Sequence, residues 1–203
     1  MLRYVCLAAT MVGSIAAADP APRPAKPYTG TVEALAVDAA KVNAGWKRRP
    51  GIIVEDPANP PKVKKKQEKA LAEILETIAA QDLRACGDFA YAPAGEDFDV
   101  LTLRVAVFKS KEAAEKWWQT VYRSHRCEER YRPIDGYGDE AVDSLRTNAR
   151  IVRQGNVVLT CCQSTGWDAS HRLLGEVCAK IRSICAEPEA VTSQPAGVSD
   201  EDE

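Results

Sequence analysis

The sequence predicts an α+β domain: an antiparallel β-sheet with flanking α-helices, stabilised by disulfides. Three observations carry this. Helical and strand signals alternate along the chain but include a hairpin, "ARIVRQGNVVLTCC", which makes antiparallel neighbours. The segment "FDVLTLRVAVF" has strict two-residue alternation, the mark of a strand with one face against a core. The cysteines that follow an export-type leader are even in number, which favours a disulfide framework. Helices on one face of the antiparallel strands complete the expected layers.

Met1-Leu2-Arg3-Tyr4 carries one positive charge. The apolar run "VCLAATMVGSI" follows, then Ala16-Ala17-Ala18 before Asp19. This is the layout of a signal peptide, residues 1–18, with cleavage after Ala18. The run is shorter than the roughly 20 apolar residues of a membrane span. Cys6 lies within it and has no lipobox ahead of it. The expected location is therefore secreted or periplasmic, with no membrane span.

Residues 19–61 form a Pro/Ala-rich N-terminal segment, opening with "DPAPRPAKPY". Within it, Thr31 to Ala44 reads as a short helix with Val32, Leu35, Ala39 and Val42 on one side. Ile52-Ile53-Val54 reads as a short strand before Asp56-Pro57 and Pro60-Pro61. Whether this stretch is a separate arm or part of the core is left open. The α+β domain proper is expected over residues 62–185. Lys62 to Arg84 is a helix on the spacing of Leu71, Ile74, Leu75, Ile78 and Leu83. Phe98 to Phe108 is the strongest strand. Ser110 caps a helix to about His125, with Ala113, Ala114, Trp117, Trp118 and Val121 on its apolar face. Pro133 to Gly138 is a loop. Ala149–Val152 and Val157–Cys162 pair around Gln154-Gly155-Asn156. The last helix, Asp168 to Cys185, carries Leu173, Leu174, Val177, Cys178, Ile181, Ile184 and Cys185 as its stripe. Residues 186–203 are a polar tail, expected to be disordered. It has six acidic residues (Glu187, Glu189, Asp200, Glu201, Asp202, Glu203) and no Lys or Arg.

Six cysteines lie beyond the leader: Cys86, Cys127, Cys161, Cys162, Cys178 and Cys185. Cys178 and Cys185 are seven residues apart on one helix, about 10 Å, too far for a disulfide. Cys161 and Cys162 are adjacent on a strand and point to opposite faces. Cys161 shares a face with Val157 and Leu159, so Cys178 is its first expected partner and Cys185 its second. Cys162 then reaches toward Cys86 or Cys127. Two other chemistries compete. A zinc site drawn from His125, Cys127, Cys161, Cys162 and His171 has the right ligand types but no Cys-x-x-Cys spacing. A redox pair at Cys161-Cys162 lacks the Cys-x-x-Cys at a helix N-terminus that lowers a thiol pKa.

No metal, cofactor or catalytic residue is predicted. Ser164, Asp168 and His171 can be assembled as a triad on paper, but no Gly-x-Ser-x-Gly elbow surrounds a serine. Gly136-Tyr137-Gly138-Asp139-Glu140-Ala141 has the look of a phosphate loop without its Lys-Ser/Thr. It reads better as a tight turn into the next strand. Trp117, Trp118 and Tyr137 are the ligand-cleft candidates. On a helix the two tryptophans diverge by about 100°, so one enters the core and the other lines an edge. Lys62, Lys64, Lys65, Lys66 and Lys69 form a basic run, with Arg48 and Arg49 nearby in sequence. Such a run is a solvated face or a contact for anionic polymers or headgroups. A net charge of -2 excludes an ordinary nucleic-acid-binding domain.

The order "VAVFKSKEAAEKWW", "GYGDEAV", "ARIVRQGNVVLTCC" and an amphipathic final helix resembles secreted bacterial domains of the PknH-type extracellular sensor class and related PsbP-like lipoproteins. The likeness spans roughly Leu83 to Cys185. It implies an antiparallel sheet with flanking helices, a cleft for an unidentified ligand, and a disulfide from Cys161 or Cys162 to Cys178. The chain shows no kinase domain, membrane helix or lipobox, so the resemblance carries the fold and not a signalling role. The expectation is a non-enzymatic, exported, sensor-like domain that binds a small ligand or envelope protein. A thiol/disulfide redox protein and a purely structural envelope protein are the alternatives.

Overall fold

The computed structural model describes residues 26–49, 51–96, 101–122, 130–163 and 168–186. The leader, the acidic tail, His125, Cys127 and Ser164 lie outside the described residues. The helices are α1 (Ala39–Val42), α2 (Glu68–Gln81), α3 (Lys111–Tyr122) and α4 (Asp168–Cys185). The strands are β1 (Trp46–Arg49), β2 (Ile53–Val54), β3 (Leu83–Pro93), β4 (Leu101–Phe108), β5 (Tyr131–Ile134), β6 (Glu140–Ser144), β7 (Ala149–Gln154) and β8 (Val157–Gln163). Among the described residues these eight strands form one antiparallel sheet in the order β1-β3-β4-β8-β7-β6-β5, with β2 also on β3. The α+β class is therefore observed.

The layers differ from the expectation in one respect: helical segments cover both faces. Tyr28, Val32, Leu35, Val37 and Val42 join Leu173, Leu174, Val177 and Ile181 of α4 on one face. Ile74 and Ile78 of α2 and Ala114 and Trp118 of α3 pack on the other. The central strands are consequently buried on both sides. Val157 and Leu159 serve the first core and Val158 the second.

Residues 28–49 and 51–54 pack into the same sheet and core as the later elements. The single helix expected over Thr31 to Ala44 is instead a 3-10 turn, Glu33–Leu35, and the one-turn α1. The backbone between them is extended at Ala36, and Asp38 caps α1 by accepting the Ala40 amide at 3.1 Å. Val32, Leu35, Val37, Ala39 and Val42 are all buried, a spacing no continuous helix presents to one surface. The segment lies over the sheet and bends to bury each apolar residue.

Asn156 holds this segment in place. Its Oδ1 accepts the Tyr28 amide at 2.6 Å, and its Nδ2 donates to the carbonyls of Tyr28 at 3.1 Å and Phe108 at 3.0 Å. Next to it, the Gly155 amide donates to Asp139 at 2.9 Å. Arg153 pairs with Asp139 at 3.3 Å and with Glu140 at 2.9 Å. The Gly136–Ala141 stretch is thus a turn into β6 clamped to the β7–β8 hairpin. Gly138 has φ +48°, and a Cβ there would sit 2.4 Å from the Arg153 carbonyl oxygen. On the opposite face, Arg150 makes a two-pronged pair with Asp143 at 2.6 and 3.0 Å, both side chains buried.

No disulfide is seen among the described residues: Cys86, Cys161, Cys162, Cys178 and Cys185 are free. The disulfide-stabilised part of the expected fold therefore finds no support among the described residues, and the register shows why two of the expected pairs are apart. Cys161 lies opposite Arg150, and Arg150 reaches His171 on α4 at 2.9 Å. Cys178 lies two helical turns beyond His171, about 10 Å along α4. There it meets the Gly138 amide rather than Cys161. Cys162 and Cys86 share a face, but they stand beside Thr102 and Ala106 on β4, four residues apart. That is about 13 Å of strand, well beyond disulfide reach.

Three stability outcomes follow. Asn156→Ala strands three buried backbone partners and is expected to cost about 2–4 kcal/mol in urea unfolding. Asp143→Asn leaves the buried Arg150 charge short of its partner and is expected to cost about 3 kcal/mol. Arg132→Ala, which removes an exposed contact to the same carboxylate at 3.7 Å, is expected to cost less than about 1 kcal/mol.

Candidate functional site

The ligand-cleft candidates do not converge on one site. Trp118 is buried and Trp117 half-buried, as the helical divergence requires. They form an aromatic cluster with Phe108, Tyr122 and Tyr131, at ring separations of 4.7 to 5.6 Å. Tyr137 instead lies on the α4 side, where its hydroxyl contacts His171 Nδ1 and accepts from Arg150 at 3.1 Å. A depression of about 370 Å³ is lined by Trp118, Tyr122, Tyr131, Pro133 and Val142.

A second concavity, with charged and hydroxyl-bearing residues on its floor, lies elsewhere. It is a groove of about 500 Å³ over β3, β4 and β8, on the face that carries α2 and α3. Its floor is a lattice fixed by strand register. One row across the sheet is Asp88, Arg104 and Thr160; the next is Ala90, Thr102 and Cys162. The row before these, Cys86, Ala106 and Val158, belongs to the apolar core that the two helices close over. The sheet thus changes from apolar to polar where the helices stop covering it. Gly51, Ile52 and Gln67 form the walls, from the β1–β2 connection and the 3-10 turn Lys65–Gln67 that leads into α2.

Within the floor, Arg104 donates from Nε and Nη2 to the two Asp88 oxygens at 2.8 and 2.9 Å. This bond to Asp88 raises the Arg104 pKa against the opposing effect of burial. The pair spans adjacent strands, which sets the guanidinium plane and leaves Nη1 uncommitted among the described residues. Cys162 is the one exposed cysteine of the described set. Burial of its sulfur pushes its pKa up, although Arg104 and the Thr102 hydroxyl both favour the thiolate. Burial raises Cys161 further, to about 12. Neither thiol is activated, and β8 runs through both in unbroken register, so the two side chains stay on opposite faces. The geometry therefore gives the redox pair no support. The zinc set is not gathered either, since Cys162 and His171 lie on opposite faces. Among the described residues no group of three or more His, Cys, Asp or Glu is placed to hold a metal ion.

The groove's polar residues were missed as a site from sequence. The alternation of "FDVLTLRVAVF" puts Thr102 and Arg104 on the side away from Leu101, Leu103, Val105 and Val107, and Asp88 and Ala90 lie in β3, which shows no such alternation. The signal was present in the alternation itself: a polar Thr-x-Arg stripe on β4 faces polar Thr160 and Cys162 on β8.

The fold and groove define an α+β domain with a polar concavity on an otherwise helix-covered sheet. The chain matches no known protein family, no characterised protein and no solved structure. Among the described residues no helix is long and apolar enough to cross a membrane.

The accessibility pattern is checked by alkylation of the native protein with an uncharged maleimide and peptide mass spectrometry. Cys162 is expected to label at least about tenfold faster than Cys86, Cys161, Cys178 or Cys185. Its rate is expected to keep rising with pH above the ordinary thiol value of 9.0, because burial lifts its pKa. Equal labelling of Cys161 and Cys162 would overturn the face assignment.

Proposed function

We propose that this protein is an exported, non-enzymatic, sensor-like domain that binds a ligand or partner outside the cytoplasm, and that the groove over β3, β4 and β8 is its ligand site. The observation that carries the reading is the polar floor. Asp88, Arg104, Thr102 and Thr160 stand on three neighbouring strands, held by ladder hydrogen bonds, in a concavity of ligand size. A merely solvated sheet face does not require walls from two separate segments. The leader-like residues 1–18 and the likeness to PknH-type and PsbP-like exported domains support an extracytoplasmic location. Burial of Cys86, Cys161, Cys178 and Cys185 is compatible with thiols that persist in an oxidising compartment. The high thiol pKa values weigh against a redox enzyme.

The test has two parts. Expressed with its leader in an exporting host, the chain is expected to be recovered outside the cytoplasm with Asp19 at its N-terminus, as read by intact mass. An unprocessed cytoplasmic chain would overturn the export claim. Thr160→Trp fills the groove with a side chain that strands accept. It is expected to keep the wild-type circular dichroism spectrum. It is also expected to abolish the slowing of Cys162 alkylation that envelope extract produces in the wild type. If extract never slows alkylation of the wild type, the groove is not a ligand site and a structural role stands.

A further inference from the structure

The groove's chemistry is more specific than its shape. Resting on the ligand-site reading above, we infer that it takes a phosphate-bearing ligand, with the phosphoryl group on Arg104, Thr102 and Thr160 and under the lysines Lys64, Lys65 and Lys66. Arg104 is held flat by Asp88 through two of its five N–H groups. The uncommitted Nη1 edge is a fixed donor for an oxyanion. Thr160 is its direct cross-strand neighbour, and Thr102 is two residues along β4 on the same face. Cross-strand neighbours have Cβ atoms about 5 Å apart. Register alone therefore places Thr102, Arg104 and Thr160 side by side on one face of the sheet, with the Thr102 hydroxyl also bonded to Cys162 and the guanidinium held by Asp88.

The floor itself is close to neutral, because Asp88 offsets Arg104. The excess charge lies next to the wall, on the exposed residues that precede Gln67. Gln67 lines the groove, and its amide bonds to the Lys64 carbonyl at 2.7 Å, so Lys64, Lys65 and Lys66 stand within one 3-10 turn of it. All three are exposed, and none has an acidic partner among the described residues. Glu68, on the first turn of α2, is the acidic residue beside them, which leaves this stretch net positive. Donors on the floor and charge next to the wall suit a group with several oxygens and more than one negative charge. A phosphoryl group meets that description better than a single carboxylate.

Cys162 makes the inference measurable, because its thiol lies in the same groove and reports occupancy. The full chain is alkylated with N-ethylmaleimide at fixed ionic strength while inorganic phosphate or glycerol 3-phosphate replaces chloride. Saturable slowing at Cys162 of at least about threefold is expected, with no change at the buried cysteines. The protection is expected to fall several-fold in the surface triple variant K64A/K65A/K66A, with the unfolding midpoint unchanged. It is expected to be lost in Arg104→Met, with D88N/R104M as the variant that leaves no unpaired carboxylate. Phosphatidic acid vesicles, which carry a phosphomonoester, against phosphatidylcholine vesicles, separate the sources. Protection by anionic vesicles alone assigns a lipid headgroup, and protection by glycerol 3-phosphate assigns a soluble phosphate ester. Either supports the inference. Protection by envelope extract stripped of anions, but by none of the phosphates, overturns the phosphate inference and leaves the groove a ligand site. Protection by neither overturns both. Protection that is unchanged in the lysine and arginine variants also overturns it.

Discussion

The two-residue turn at Gly155 and Asn156 is the point on which the rest of the structure depends. A tight hairpin normally needs only to reverse the chain. Here its side chain and amide also join three otherwise separate parts. The Asn156 amide holds both the N–H and the carbonyl of Tyr28, as a neighbouring strand would, and takes the last carbonyl of β4. The Gly155 amide takes Asp139 from the turn before β6. The N-terminal segment, the centre of the sheet and its far half are therefore fixed relative to one another by buried hydrogen bonds. Such bonds are modest in net value but costly to leave half made. Gly155, with φ +61°, supplies the backbone conformation that lets the turn present both groups. Burial, and then the Glu55 carboxylate, lifts the Tyr28 phenol to about 12, so the residue stays neutral where it is wedged.

Covering both faces has a consequence for function. A sheet with helices on one side offers its whole opposite face to solvent, and no place on it is special. Here α2 and α3 cover only part of their face, and α2 is joined to β3 through the single left-handed residue Asp82. That short link pins the C-terminal end of α2 to the start of β3. The N-terminal end of α2 therefore falls toward the middle of β3, near Asp88. The groove opens there, between the start of α2 and the β1–β2 edge. Its position is a consequence of chain connection, and its polarity is a consequence of which residues occupy the alternate positions beyond the helices.

The parts of this fold legible in the sequence are those with a single buried face. β4, α3, the β7–β8 hairpin and α4 have clear two- or 3.6-residue periods, and all appear close to the expected bounds. β3 was not foreseen, because "LRACGDFAYAP" follows a helix with no loop, includes Gly87 and Asp88, and is buried on both faces over much of its length. Little alternation is left to read in such a strand. β1 and β5 are short edge strands whose exposed Lys47, Arg48 and Arg132 read as loop. The cysteines misled for a related reason. The face of Cys161 was read correctly, but the level at which α4 crosses β8 goes with the His171–Arg150 contact, which has no sequence period. The candidate site was half legible: Thr102 and Arg104 stood out as one stripe, but their partners across the sheet depend on strand order.

Strand register also bears on the chemistry of the groove. Catalysis by a thiol needs a stabilised thiolate, and Cys162 has two favourable neighbours, Arg104 and Thr102, yet burial outweighs them. Arg104 is weakened as an activator because its charge is already shared with Asp88 on the next strand. If Asp88 were absent, the floor would be positive and the thiol more acidic. With it, the floor is balanced, the guanidinium is positioned rather than free, and the net positive charge is displaced to the lysines next to the wall. An arrangement that holds donors still and keeps its thiol protonated is consistent with the ligand site proposed above.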